Sequence, residues 1–211
     1  MMIENILLLS LIAAIFSADM TCFGQFMICR PIFCAPIFGY LTGDVASGLW
    51  VGMIVEMIWF NAVPLGASMP PDICAISILS VVWTNRYFPG LSSACIFALI
   101  AATPFGYICR EIDAAGRRIN VKIMYWIEEG INKTDFNRLN TGIFLGLFLF
   151  IFKFFIFYIL VIPLGGIIFS VYLMFPPFVL NGFTKAWFHL PILGFGTVAY
   201  SFVNLKIKMF R

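Results

Sequence analysis

Four side chains in otherwise apolar sequence have the chemistry to hold a polar guest: Glu56, Asp72, Gln25 and Asn61. Glu56 stands near the middle of the apolar run 45–65, where a charged side chain costs about 3 kcal/mol on insertion-based scales. A carboxylate in such a low-dielectric place accepts hydrogen bonds with charge-assisted strength, and an amide such as Gln25 or Asn61 both donates and accepts. Two readings of Glu56 compete: a functional acceptor, or one half of a buried structural pair with a lysine such as Lys153. Asp72 also has two. It caps the helix that follows, or it presents its carboxylate to a hydrated ligand from a helix start placed at mid-membrane.

The elements that must position these groups are unusually short. After the run carrying Glu56 comes a Pro/Gly-rich break, Asn61 to Asp72, in which Gly66 and Pro71 interrupt the helix and Pro71 suits the first turn of the next one. Residues 73–83 then rise only about 16 Å as a helix, roughly half a hydrocarbon thickness. Upstream, Asp19, Gln25 and Arg30 put a carboxylate, an amide and a guanidinium within a dozen residues, and Pro31 and Pro36 leave 31–43 as a second short piece. Two half-length pieces therefore flank one long one. Broken backbone at membrane depth is tolerated only where it is buried or lines a cavity, so this pattern points to a binding site. Gly48, Gly52 and Glu56 recur at i, i+4 and i+8 and share one face, where small residues let a second helix approach and the face turns Glu56 away from lipid. Arg30 and Asp44, at the ends of the short pieces, are expected to pair or cap.

The whole chain has the composition of an integral membrane protein. Its 211 residues are 62% hydrophobic, 18% aromatic and only 11% charged. Apolar runs at 5–18, 45–65, 90–109, 141–162 and 187–203, with no strict alternation of apolar and polar residues, give an all-α fold: a polytopic membrane protein with short re-entrant or broken helices around a mid-membrane site. The first run lacks a basic flank and a cleavage site, and reads as a membrane helix rather than a removed signal peptide. Residues 110–140 form the one long polar loop. The positive-inside rule places it in the cytoplasm, and Ile119, Ile123, Trp126 and Ile127 at helical spacing give it an amphipathic helix, either a solvated connector or a docking surface for a soluble partner. The chain thus divides into a membrane half, 1–109, the loop, and a second membrane half, 141–211. In the latter, Pro163-Leu-Gly-Gly166 breaks a long apolar stretch, Lys153 either snorkels or faces a carboxylate, and His189 reads as an interfacial or packing residue.

The six cysteines lie in apolar surroundings without a CxxC pair or clustered histidine, so they read as packing residues, with no metal and no cofactor expected. The net charge of +3 sits mostly in the loop and tail, which speaks of topology and gives no nucleic-acid surface. No nucleophile and base cluster marks an enzyme.

Cys29-Arg30-Pro31, Gly39 through Gly43-Asp44, Gly48-Leu-Trp-Val-Gly52, Glu56-Met57, and Leu65-Gly66-Ala67 with Pro71-Asp72 together resemble the membrane-embedded IIC subunit of the mannose/fructose/sorbose class of sugar phosphotransferase systems. The ordered set over about fifty residues carries the likeness, which continues more weakly at Asn181-Gly182 and through Gly194 to Gly196. The chain departs from the family pattern at Phe183 to His189, which is poorer in glycine, and at Arg211, beyond which family members run on. The resemblance implies a permease without catalytic residues of its own. It would sit in the cell (inner) membrane as part of an oligomer, with a IID membrane subunit and cytoplasmic IIA and IIB proteins, surrounded by membrane lipid. The substrate implied is a hexose, phosphorylated by IIB on delivery. A hexose offers many hydroxyls, which suits Glu56 as principal acceptor with Asp72, Gln25 and Asn61 around it. Two other readings stand beside it: a stand-alone proton-coupled or facilitative transporter with Glu56 as proton carrier, and a structural membrane subunit.

Overall fold

A backbone surrounded by lipid must satisfy its own polar groups, and in the computed structural model it does so by helices alone. Residues 5–20, 22, 24–60, 70–88, 92–132 and 137–209 are described, and no strand occurs among them. The helices are α1 (Ile6–Asp19), α2 (Pro31–Thr42), α3 (Val45–Ile58), α4 (Ile73–Tyr87), α5 (Ser92–Asn132), α6 (Asn137–Val161), α7 (Gly165–Leu173) and α8 (Pro177–Met209). Among the described residues three stretches are long and apolar enough to cross a membrane: Ser93–Asn132, Asn137–Leu173 and Pro177–Val203. Helices α1, α2 and α3 are apolar but shorter than a span.

The Glu56 helix therefore differs from the expectation of a long run over 45–65: as described, it ends at Ile58 after 14 residues. It forms a tight hairpin with α2. Gly43 turns the chain in the left-handed conformation (φ 102°), its N–H and that of Asp44 both donate to the Gly39 carbonyl at 2.9 Å, and the Asp44 carboxylate caps α3 by accepting from Ala46 and Ser47. The glycine face is the seam of this hairpin. A Cβ at Gly48 would lie 2.5 Å from the Ala35 carbonyl oxygen and one at Gly52 2.5 Å from that of Pro31. Only residues without a side chain permit that approach.

Helix α4 is buried on every side from Ile73 to Thr84, as a helix with no polar face must be. It packs on α5 and α2, while α1 packs on α6. Ser17 and Tyr158 join their hydroxyls at 2.9 Å in the α1–α6 contact, and the Trp83 indole N–H reaches the Ile162 carbonyl at 3.0 Å where Pro163 breaks the chain into a 3-10 turn (Ile162–Leu164) before α7. Five of the six cysteines are buried.

The polar region after Arg110 departs from its reading as a separate loop. Its residues to Asn132 continue α5 without interruption to 41 residues, about 60 Å. No proline follows Pro104 in this helix, and the expected amphipathic stripe packs sideways: Gly142 of α6 lies against Ile127 and Ile123, and Gly130 against Arg138. The border set at 109/110 thus falls inside one helix. Lys153 of α6 faces a carboxylate, Asp113 of α5, at 2.7 Å.

Candidate functional site

A cavity of about 320 Å³ opens between the end of α1 and the start of α4. Its walls include Asp19, Gln25 and Arg30 as polar groups, with Met20, Met27, Ile73 and the Pro70-Pro71 pair supplying apolar surface. Cys29 and Cys74 complete the described lining.

The segment over the mouth is held in an unfavourable backbone shape. Gly24 (φ 77°), Gln25 (φ 51°) and Met27 (φ 63°) are left-handed, which for a residue with a Cβ costs about 1 kcal/mol or more. The buried Asp19 carboxylate maintains it, accepting from the backbone N–H of Phe26 at 2.8 Å and of Cys29 at 3.3 Å. The consequence is an exposed Gln25 amide at the rim of the cavity.

Arg30 is the N-cap residue of α2, and its guanidinium Nη1 donates to Glu56 Oε1 at 3.2 Å. The pair is not sealed: the two side chains keep 32% and 21% of their accessible surface. Glu56 Oε2 is buried and meets no hydrogen-bond partner among the described residues. The hairpin register explains the encounter, since the glycine face that brings Gly52 onto Pro31 carries Glu56, one turn later, onto Arg30. Glu56 thus stands behind the cavity wall, paired with Arg30, which lines it.

Asp72 caps α4, accepting from Ala75 N–H at 3.0 Å, and receives the Cys109 thiol at 3.2 Å, while its own N–H donates to the Gly106 carbonyl at 3.1 Å. It borders a second, smaller cavity of about 60 Å³ rather than the first. The two share Met20, Pro70 and Pro71 as a common wall. Of the residues singled out from the sequence, Gln25, Arg30 and Pro71 meet at the larger cavity, Glu56 stands one layer behind it, and Asp72 is next door. Asn61 and Gly66 lie outside the described residues. Asp44 is elsewhere: its carbonyl accepts from the Asn85 amide, which also reaches Thr42. His189 is exposed on α8. Asp19, which the sequence groups with Gln25 and Arg30 without giving it a place among the binding residues, joins both of them in the cavity lining.

Short helices that stop inside the apolar mass, a hairpin holding a charged pair, and a polar cavity at their ends define an all-α, polytopic membrane protein with a site built on broken helices. A family model described as the sorbose-specific IIC component of the PTS system matches residues 3–210, and the chain belongs to that family. It is 29% identical over 54 residues to the "Putative N-acetylgalactosamine permease IIC component 2" of Escherichia coli (strain K12); the match covers 26% of this chain and 41% of that relative, so the chain spans less than half of the relative's length. Two solved structures share the fold at 20% identity. One, a membrane protein, has a TM-score of 0.75 and is matched over 100% of this chain and 81% of its own. The other, the mannose transporter ManYZ in complex with microcin E492, has a TM-score of 0.69 over 96% of this chain and 81% of its own.

Proposed function

We propose that this chain is the sugar permease subunit, IIC, of a phosphoenolpyruvate-dependent sugar phosphotransferase system. It binds a hexose in the cavity between α1 and α4 and moves it across the cell membrane for phosphorylation by a cytoplasmic IIB protein. The observation that carries this reading is the cavity itself. About 320 Å³ lies at the lower end of the range for small-molecule sites, and its lining combines a few polar groups with methionine, isoleucine and proline surface. A pyranose has the same two characters, hydroxyls around its edge and C–H groups on its faces. Gln25 donates and accepts at the rim, the Arg30 guanidinium donates from the wall, and Glu56 holds that guanidinium in place.

The chain supplies no catalytic residue in this scheme; the phosphoryl group comes from IIB, itself charged by IIA. Exposed apolar side chains along α8, among them Phe188, Ile192 and Phe195, meet lipid and a IID subunit. The charged end of the α5–α6 hairpin lies in the cytoplasm, in keeping with its arginines and lysines.

The test is uptake into vesicles that contain this chain with its IID partner. Phosphorylated hexose should accumulate only when phosphorylated IIB is present inside. Uptake driven by a pH gradient without IIB would overturn the reading and make Glu56 a proton carrier.

A further inference from the structure

Both cavities lie in one seam, with α1 and α6 on one side and α4 and α5 on the other. The larger is bounded by the end of α1 and the start of α4. The smaller continues from their shared wall, Met20 and Pro70-Pro71, towards Asp113 and Arg117 of α5 and Phe150 and Phe154 of α6. That is where α5 changes from apolar to charged and the protruding hairpin begins. A route from the first cavity to the hairpin side therefore runs through the second. At about 60 Å³ the second cavity has room for a water or two and none for a sugar ring. The route is shut.

One ion pair fastens the seam at this point. Lys153 Nζ lies 2.7 Å from Asp113 Oδ1, with 17% and 16% of the side chains accessible, and Arg117 Nε takes the other oxygen at 2.8 Å. The same ammonium sits 4.2 Å from the Phe150 ring centre and 4.9 Å from that of Phe154, the two rings that line the small cavity. Gly116 lies directly against Lys153, so the helices are in close contact there. Breaking a pair with this little exposure is costly because each charge is left poorly solvated, which makes the contact suited to holding one of two arrangements.

We propose that the Asp113–Lys153 pair is a lock on the hairpin side of the sugar route, holding α6 against α5 so that the small cavity stays closed while the larger one is occupied. The pair is a positioning device and touches no substrate. The identity of the guest rests on the permease reading; the lock does not.

Cys109 reports its state. Cys109, Cys34 and Cys95 are all buried and none lines either cavity, but the Cys109 thiol alone of the three donates to Asp72, a wall residue of the small one. Membrane-impermeant maleimide is applied from the hairpin side to the intact protein in vesicles, and labelling is followed cysteine by cysteine by mass spectrometry. Lys153→Met should speed labelling of Cys109 about tenfold, with Cys34 and Cys95 unchanged, because the open arrangement gains population when its rival loses an interaction. Lys153→Arg, which can still reach Asp113, should restore the slow rate. Unchanged Cys109 labelling in Lys153→Met overturns the lock, as does equal acceleration at all three thiols, which would mean general loosening. In the transport vesicles the same Lys153→Met variant should let unphosphorylated hexose through without IIB. Selective Cys109 labelling with no sugar movement in either variant or parent would leave the lock standing and refute the permease.

Discussion

Replacing Glu56 by glutamine preserves the shape of the side chain and removes its charge, so its effect isolates what the carboxylate does for Arg30. In the native protein a guanidinium on the cavity wall is held at 3.2 Å by a charged acceptor, with both side chains only partly accessible. A hydrogen bond to a charged group contributes about 1.5–3 kcal/mol, against about 1 kcal/mol for a neutral one. Glutamine Oε1 can still accept from Arg30, so the loss in orientation of the guanidinium is the difference, on the order of 0.5–2 kcal/mol, or about two- to thirtyfold in affinity. The amide nitrogen takes the place of Oε2, which is already buried without a partner among the described residues, so the exchange adds no new unmatched group and the effect is that of the lost charge. Equilibrium binding of labelled hexose to the detergent-purified protein measures the change, and the thermal midpoint of the same sample shows that the hairpin is intact. Native affinity in a folded Glu56→Gln protein would refute the claim that Glu56 acts on the cavity through Arg30.

Gly52→Leu should be more damaging than Glu56→Gln, because its Cβ would meet the Pro31 carbonyl at 2.5 Å; the hairpin must part, at about 1–3 kcal/mol or more, lowering the thermal midpoint and, since Arg30 precedes Pro31, hexose affinity as well. Asp44→Ala removes the α3 cap and should cost about 1 kcal/mol of stability while leaving hexose affinity within twofold, which the same two measurements separate. Tyr158→Phe leaves the buried Ser17 hydroxyl without its 2.9 Å partner and should destabilise the α1–α6 contact by about 1–2 kcal/mol, seen as a lower midpoint. Asp19→Asn loses an acceptor for the N–H of either Phe26 or Cys29; limited proteolysis should then cut within 22–30 much faster than in the parent, and resistance there would count against Asp19 as the holder of the rim.

What the sequence settled by itself was everything that follows from solvent and from local chemistry. An apolar composition and the need to satisfy backbone groups in lipid leave helices as the outcome, and prolines at 31, 71, 163 and 177 mark where helices start or break. Aspartates before apolar runs become caps, as Asp44 and Asp72 do. The i, i+4, i+8 spacing of Gly48, Gly52 and Glu56 announced a close helix contact on the face that carries the charge, and the ordered motifs around it pointed to the family. The tertiary structure decided which partner each of those groups meets. Hairpin register, fixed by the left-handed turn at Gly43, brought Arg30 rather than Lys153 to Glu56 and left Lys153 for Asp113. Those distances span 26 and 40 positions along the chain, and no local rule reaches that far. The length of α5 was likewise undecidable from hydropathy, because a helix leaving the bilayer needs only a break-free backbone and a packed flank, and α6 supplies the flank. Asp19 makes the same point most plainly: its residue type was visible from the outset, but its task, bracing a left-handed turn at the rim of a cavity, exists only once α1, α2 and α4 have come together.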